Sequence, residues 1–495
     1  MPDKFYITTT IPYVNGDPHI GHALEFVQAD VIARHQRVLG RQTRLLTGTD
    51  ENSLKNVQAA EKAGVSVAKF VDKYAALFKK LATALNVSND DFIRTTEARH
   101  VQGAQKFWLA CSARGDIYKK RYAGLYCIGC EAFYLKKDLE NGLCPEHRIA
   151  PEHIEEENYF FKLFRYQDTL ANLIESDRMC ITPARRKNET LQFIKEGLED
   201  FSISRSNERA KNWGVGVPGD ASQKMYVWFD ALTNYITALD YGGDARMFQE
   251  WWEQSDHTLH VIGKGVARFH VLYWPAMLLS AGLRPPKEVF IHGYFTINGE
   301  KMSKSLGTGV NPLELVEAYG TDAVRYFLLR EIPAAEDGDF SYEKFEQRYN
   351  ADLANGLGNL VQRVATLAEK YAVKTLDPAD AAIVQIIADV ERSVFAELAA
   401  YEFHRALSAL WQLVAWGNKY VDERKPWQQT GKELEKTLAN LVCIILQIAK
   451  ALRPFLPDTA KAIFARFGVD PEIKTIGPAL AISVKKGEPL FKRIQ

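Results

Sequence analysis

Hydrophobic positions divide the chain into alternating strands and helices, an interruption, and a long helical tail. Phe5 to Ile11 is a β-branched and aromatic run that predicts a buried strand. Pro12-Tyr13-Val14-Asn15-Gly16-Asp17-Pro18 continues neither strand nor helix. From Ala23 on, Leu24, Val27, Val31 and Val38 recur at helical spacing, and Gly40 is placed to close the helix. Arg44 to Thr47 predicts a second buried strand, ending at Gly48-Thr49-Asp50-Glu51. Residues 54–86 and 97–114 read as helical, with Phe70, Tyr74, Leu77 and Leu81 as one apolar stripe. Between 116 and 223 the pattern breaks into short aromatic-rich strands and turns. Alternation then resumes with strands at Met225 to Phe229, Leu259 to Ile262 and Glu288 to His292, as in an α/β sheet split by an insertion. Residues 311–349 mix helix and turn. From 350 to 467 nearly everything is helical, with Leu353, Leu357, Leu360 and Val361 in one stripe. Pro378, Pro426, Pro454 and Pro457 cut that tail into about five helices.

Composition narrows the class. At 495 residues the chain exceeds one ordinary core, so about three or four domains are expected. A hydrophobic content of 46% with 25% charged residues is an ordinary globular balance. The formal net charge of +0 means that a nucleic-acid partner would be met by local basic patches rather than a global field. No run approaches the ~20 apolar residues that span a bilayer. Met1-Pro2-Asp3-Lys4 carries no signal or transit pattern. Six cysteines in a chain of this size do not make a disulfide scaffold, and a reducing cytoplasm is expected.

Three segments carry chemistry. His19-Ile20-Gly21-His22 sits where the first strand hands over to the helix, and histidines three apart share one helix face. A helix start offers unpaired N–H groups and partial positive charge, which favour phosphate. The imidazoles add directional donors, and Gly21 lets a flat base or sugar approach the backbone. A plain polar helix start is the alternative. Far downstream, Gly299-Glu300-Lys301-Met302-Ser303-Lys304-Ser305-Leu306-Gly307 carries two lysines on a glycine-flanked loop. Such ammonium groups suit the charge that develops on a leaving pyrophosphate, although in isolation a solvated lysine loop is the simpler reading. Cys127-Ile128-Gly129-Cys130 and Cys144-Pro145-Glu146-His147 form two ligand pairs. Three thiolates and an imidazole make a closed tetrahedral set for one structural Zn²⁺. Cys111, Cys180 and Cys443 have no such spacing and read as core. Asp50, at a strand's carboxyl end, is placed for ligand binding or for capping the next helix.

Together, the histidine and lysine segments resemble the HIGH and KMSKS signatures of the class I aminoacyl-tRNA synthetases, without substitution and in the same order. The resemblance implies an α/β fold: a Rossmann-like parallel-sheet catalytic domain, split by a zinc-binding connective insert and followed by an α-helical anticodon-binding bundle. The division expected is 1–115 with 224–292 for the catalytic domain, 116–223 for the insert, 293–349 for a stem-contact region and 350–495 for the bundle. The implied reaction activates an amino acid with Mg²⁺ and ATP, releases pyrophosphate, and transfers the aminoacyl group to the terminal adenosine of tRNA. His19, Gly21, His22, Lys301, Ser303 and Lys304 fall on the ATP positions, with both histidines steadying phosphates and both lysines the leaving group.

Within that family the whole chain is similar to the methionine-specific members. The resemblance runs through Pro12-Tyr13-Val14-Asn15-Gly16, Thr47-Gly48-Thr49-Asp50-Glu51, the cysteine pairs, Asn158-Tyr159-Phe160-Phe161 and Tyr226-Val227-Trp228-Phe229-Asp230-Ala231-Leu232. It puts the methionine pocket on Ile11, Tyr13, Asp50, Trp228, Ala231, Leu232, Tyr235 and His292. Aromatic walls give a thioether sulfur–ring contacts, and Asp50 suits the α-ammonium, whereas Trp228 taken alone could be plain core. Asn359 and Arg363, on one helix face, and Trp427 fall on the positions that read the CAU anticodon. From the residues alone they are surface polar groups and a cap over the core. The implied partners are ATP, L-methionine, and initiator and elongator tRNA(Met), with no membrane. Where these enzymes commonly have Gly-Lys-Asp-Ile, this chain has Gly263-Lys264-Gly265-Val266, so altered affinity rather than lost activity is expected. No second insertion is available for a hydrolytic editing domain. The chain ends soon after Gly487-Glu488-Pro489-Leu490-Phe491, and a monomer is expected.

Other functions compete with the ligase. A non-catalytic tRNA-binding paralogue is opposed by intact His19, His22, Lys301 and Lys304. A small-molecule nucleotidyltransferase would leave the helical tail unexplained. Another class I synthetase, for cysteine for example, is the remaining ambiguity.

Overall fold

The computed structural model describes residues 3–127, 132–134, 136–145, 148–297, 300–301 and 310–494, with the backbone alone at 132, 133, 137, 300 and 301. The chain forms two compact units: Met1–Pro18, Gln36–Ala82 and Ser88–His292 in one, His19–His35, Thr83–Val87 and Gly293–Gln495 in the other.

In the first unit six parallel strands pair in the order Asp91–Arg94, Gln42–Thr49, Lys4–Thr9, His257–Gly263, Glu288–His292, Cys180–Thr182. The order reverses direction between Lys4–Thr9 and His257–Gly263, where ligands gather at strand carboxyl ends in doubly wound sheets. The inner strands carry apolar middles between polar ends, as fits a parallel sheet covered on both faces. Tyr6, Ile7, Leu45, Leu46, Val261, Ile262 and Val289 are all buried. Gly48 is required by close approach, since a Cβ there would lie 2.1 Å from the Ile93 carbonyl oxygen on the neighbouring strand.

The structure departs from three local expectations and adds one strand that none of them covered. Asp91–Arg94 is a strand that the polar flanks of Phe92 and Ile93 conceal; its order comes from pairing with Leu46 to Thr49. The stripe on the helix Val67–Ala84 is Phe70, Val71, Ala75, Phe78 and Leu81, while Tyr74 and Leu77 are half-buried. The apolar run expected as a strand at Met225 to Phe229 is instead the end of a strand, Asp220–Met225, followed by the helix Val227–Leu232. A short run buried on every side has no periodicity that separates helix from strand. Within 116–223 lie two helices, Gln167–Glu175 and Ala184–Lys195, and the strand Cys180–Thr182 adds to the edge of the main sheet. The remainder is built on a long antiparallel pair, Ile117–Cys127 with Glu152–Phe161, in a four-stranded sheet.

The second unit is mostly helical, with Asn359–Lys370, Ala381–Ala399, Phe403–Arg424, Gly431–Leu452 and Pro457–Arg466. Leu353, Leu357, Leu360 and Val361 are fully buried, as their spacing predicts. A polar joint lies in its core. Arg325 Nη2 meets Asp30 Oδ2 at 2.8 Å, and both side chains are inaccessible to solvent. The guanidinium also donates to the carbonyls of Phe455 (2.8 Å), Leu85 (3.0 Å) and Pro454 (3.0 Å). Arg34 Nε donates to the same Asp30 oxygen at 2.7 Å. A buried ion pair is tolerated when its remaining hydrogen-bonding groups are satisfied in this way, and removing one partner costs about 3–5 kcal/mol. Asp30 lies on the helix Ile20–Val38 that begins at the histidine segment. Among the described helices none is long and apolar enough to cross a membrane.

Candidate active site

The carboxyl ends of the central strands carry the predicted amino-acid residues. Beyond Lys4–Thr9 the chain turns through Ile11 and Pro12 to Tyr13, which bridges to Asp50 in parallel register. The Asp50 backbone N–H donates to the Pro12 carbonyl at 2.9 Å, fixing Asp50 just past the second strand. Asp50 is 2% exposed. His292, also buried, ends the strand Glu288–His292.

The aromatic residues form a connected wall. Trp228 stacks on Phe269 with ring centroids 3.8 Å apart and 5° between planes, and meets Tyr13 edge-on at 6.4 Å. Tyr235, Ala231 and Leu232 are buried beside it, whereas Ile11 is half-buried. The Tyr235 hydroxyl lies 2.6 Å from His270 Nε2, and His270 Nδ1 lies 2.9 Å from the Val266 carbonyl. A carbonyl only accepts, so the His270 proton is on Nδ1 and the tyrosine hydroxyl donates to Nε2 in the neutral ring. His260 obeys the same logic. Trp274 Nε1–H donates to its Nε2 at 3.2 Å, leaving Nδ1–H for the Thr8 hydroxyl at 2.7 Å. Burial holds the His260 imidazole well below its usual range, reinforced by His270, so it stays neutral. Phe269 and His270 sit on one π-helical turn, Phe269–Tyr273, a geometry often found at functional sites. The departure Gly265 lies in the 3₁₀ turn Lys264–Val266 that follows the strand His257–Gly263.

Further polar groups tie this wall down. Asn52 donates its backbone N–H to Asp50 Oδ1 at 3.2 Å and its side-chain amide to Asp230 Oδ2 at 2.7 Å. His100 Nε2 holds Asp230 Oδ1 at 2.8 Å. Glu51 faces elsewhere, accepting from Arg94 Nε at 2.6 Å and from Thr49 Oγ1 at 2.8 Å. Sequence reasoning does not single out His100 or Asp230 as site residues. Asp230 is one polar residue in an apolar run, and that oddity was the available signal; His100 stands among polar neighbours and carries none.

In the second unit the histidine segment makes a reciprocal cap. His19 Nδ1 accepts from the Gly21 N–H at 3.2 Å, and His22 Nδ1 accepts from the His19 N–H at 3.1 Å. This is the capping-box arrangement with imidazoles in place of the usual Ser/Thr and Glu. The rings stack at 3.7 Å. Because each Nδ1 accepts, the proton of each neutral ring is on Nε2, placing two imidazole N–H donors at a helix start. The Ile20 N–H donates to the Val310 carbonyl at 3.2 Å, which brings the segment after the lysine loop onto this first turn. Lys301 ends the short strand Glu300–Lys301, paired with Phe295–Ile297, and its side chain is outside the description. Ser303 and Lys304 lie outside the described residues.

Of the metal candidates, Cys127 and Cys144 are fully buried, while Cys130 and His147 lie outside the described residues. Cys127 ends its strand, and the Cys144 carbonyl accepts from the Arg148 N–H at 2.8 Å. Cys111 and Cys443 are core residues, and burial pushes their thiols up, to about 12 and about 11. Cys180 is half-buried. Asn359 and Arg363 share a helix face and reach the helix Phe403–Arg424: Asn359 Nδ2 donates to Asn418 Oδ1 at 3.1 Å, and Arg363 Nη2 meets Asp422 Oδ1 at 2.6 Å. Trp427 is exposed, not a cap over the core.

Comparison with known proteins now decides the family. A model for class I tRNA synthetases (M) matches residues 5–153 and 135–365, and one for the anticodon-binding domain of tRNA ligases matches 380–484. The methionine–tRNA ligase of Brucella suis biovar 1 is 41% identical over 510 residues, covering 99% of this chain and 98% of that protein. That of Thermotoga maritima is 40% identical, covering 99% of this chain and 80% of that protein. This chain belongs to the methionyl-tRNA synthetase family. The solved Mycobacterium tuberculosis methionyl-tRNA synthetase in complex with methionyl-adenylate superposes with a TM-score of 0.93 at 37% identity, covering 99% of this chain and 100% of that one. Its apo form gives 0.86 at 34% identity, with 100% and 99% covered. The family membership carries the expected architecture, a class I catalytic domain followed by a helical anticodon-binding domain.

Proposed function

We propose that this chain is a methionine–tRNA ligase that forms methionyl-adenylate from L-methionine and ATP and passes methionine to initiator and elongator tRNA(Met). The observation that carries the reading is the relation to a methionine–tRNA ligase at 41% identity over 99% of this chain.

Asp50 pairs with the methionine α-ammonium. Ile11, Tyr13, Trp228, Ala231, Leu232, Tyr235 and His292 surround the side chain, the rings giving the thioether polarisable contacts. The methionine carboxylate oxygen attacks the ATP α-phosphorus, the bond to the bridging oxygen breaks, and pyrophosphate leaves. His19 and His22 donate through Nε2–H to phosphate oxygens, and Gly21 and Ser303 serve the same ATP. Lys301 and Lys304 neutralise charge on the leaving pyrophosphate. Bound together with ATP, Mg²⁺ would supply offsetting charge for the phosphates that His19, His22, Lys301 and Lys304 hold. A hydroxyl of the terminal tRNA adenosine then attacks the methionyl carbonyl and AMP leaves. No covalent enzyme intermediate is needed, so the protein contributes positioning and charge stabilisation.

We assign Cys127, Cys130, Cys144 and His147 to one structural Zn²⁺. The burial of Cys127 and Cys144 and a soft donor set support this. Cys127→Ser releases the metal on this reading, and full zinc occupancy of that variant by elemental analysis would contradict it. Asn359, Arg363 and Trp427 read the anticodon, supported by the shared helix face and by the exposure of the tryptophan. Residues 1–115 with 224–292, 116–223, 293–349 and 350–495 act as catalytic domain, insert, stem-contact region and anticodon domain. The enzyme works as a monomer in the cytoplasm, and sedimentation of the purified chain tests the first of these.

The deciding experiment is amino-acid-dependent exchange of pyrophosphate into ATP, with each amino acid in turn. Exchange driven by methionine is the expected result. Exchange with cysteine alone overturns the substrate, and no exchange with any amino acid leaves a non-catalytic tRNA-binding protein.

A further inference from the structure

Asp230 lies on the helix Val227–Leu232 between Trp228 and Ala231 and is fully buried. His100, also fully buried, holds Asp230 Oδ1 through Nε2 at 2.8 Å and the Thr237 hydroxyl through Nδ1 at 2.9 Å. A carboxylate only accepts, so His100 Nε2 carries the proton aimed at Asp230. On the other side, Asn52 donates its amide to Asp230 Oδ2 at 2.7 Å and to the Thr95 carbonyl at 3.1 Å. The same residue donates its backbone N–H to Asp50 Oδ1 at 3.2 Å. The bonds therefore run without a break from the helix Ala98–Ala113 through Asp230 and Asn52 to Asp50.

Stability alone gives little reason for this arrangement. Burying a carboxylate in an apolar core is costly, and an apolar residue of similar volume often packs as well or better. What the arrangement provides is a fixed span. Asp50 follows the second strand, whereas Trp228, Ala231 and Leu232 ride on the helix that Asp230 anchors. The two ends of an amino acid would meet groups on these two separate elements, and Asp230 is bonded towards both.

We propose that Asp230 is a positioning residue for the amino-acid α-ammonium: acting through Asn52, it holds the Asp50 carboxylate at a set distance from the Trp228 wall. The inference rests on the methionine reading of the site given above. The amide of Asp230→Asn offers one acceptor oxygen where His100 and Asn52 now have one each, so the tie to Asn52 weakens and Asp50 loses its orientation, while the aromatic wall, held by Phe269 and His270, stays in place.

Methionine-dependent pyrophosphate exchange by the full chain tests this with Asp230→Asn and Asn52→Ala. Methionine KM is expected to rise roughly tenfold for the first and roughly threefold for the second, with kcat and the KM for ATP within about twofold of wild type. Competitive inhibitors separate the two ends of the ligand. Methioninol, which keeps ammonium and thioether, should weaken roughly tenfold against Asp230→Asn, while deamino-methionine, which lacks the ammonium, should be unchanged. A merely structural role would weaken both alike. Equal loss of both inhibitors, or an unchanged methionine KM, overturns the proposal. If Asp230→Asn does not fold, Asn52→Ala decides by the same inhibitor pair. A wild-type chain that exchanges with no amino acid would instead overturn the methionine reading itself.

Discussion

Tyr235 is 1% exposed and Trp427 is 48% exposed, and the contrast extends to what surrounds each aromatic. Around Tyr235 polar bonds run inward: its hydroxyl donates to His270, its carbonyl accepts from the Tyr6 hydroxyl at 2.8 Å, and His270 is fixed by Val266. Around Trp427 the chain is open, with Lys425 at φ 46° turning it out of the helix Phe403–Arg424. A small ligand with few polar groups is selected by a preformed, mostly apolar wall that presents few polar atoms. A nucleobase brings its own stacking face, so an aromatic that reads it must stay accessible.

The largest effect should come from the loop that serves the chemistry and neither recognition surface. Lys301→Ala or Lys304→Ala is expected to slow pyrophosphate exchange roughly 10²–10³-fold with methionine binding little changed. Unaltered exchange rates would remove these lysines from the leaving-group role.

The helical unit is not free of buried charge, and pH exposes it. Asp322 is 6% exposed; burial raises its carboxyl to about 6, only partly offset by the Thr459 N–H that donates to it at 2.5 Å. A carboxyl whose folded pKa lies above its unfolded value stabilises the fold below about pH 4, and that contribution is lost as pH rises through about 6. Two pK units correspond to about 3 kcal/mol. Asp322→Asn should therefore flatten the decline and be more stable than wild type at pH 8, measured by urea unfolding at both ends of the range. A variant with the same slope as wild type would assign that decline to other groups.

The aromatics themselves give a matched pair. Trp427→Ala is expected to lower kcat/KM for tRNA charging by about 1–3 kcal/mol of lost stacking, with exchange and thermal stability unchanged. Tyr235→Phe removes the hydroxyl that donates to His270 Nε2 in the interior and should cost about 1–3 kcal/mol in folding stability. If both substitutions lower stability alike, the distinction between a dry wall and an open reader fails.

Much of this was legible before any fold was known. Glu288 to His292 was bounded as it stands in the fold, and the helical tail followed its leucine stripe because a repeat of several turns has one dominant period. Short segments were harder. Asp91–Arg94 gains its order from a neighbouring strand, and Val227–Leu232 is apolar on all sides, so neither carries its conformation in its own residues. Among site residues, the histidines, lysines and aromatics announce themselves by type and spacing. His100 and Asp230 do not, since their partners are 130 positions apart in the chain.

The order of amino acids by itself determined the α/β class, the interruption, the helical tail and the residues able to grip phosphate and a thioether, because those depend on local period and on side-chain chemistry. Only the tertiary structure decided that the two imidazoles cap one helix with their rings stacked, and that Asp50, Asn52, Asp230 and His100 form one chain of hydrogen bonds. Hydrogen bonds are short and directional, so which distant donor meets which acceptor is settled only when packing brings them within about 3 Å.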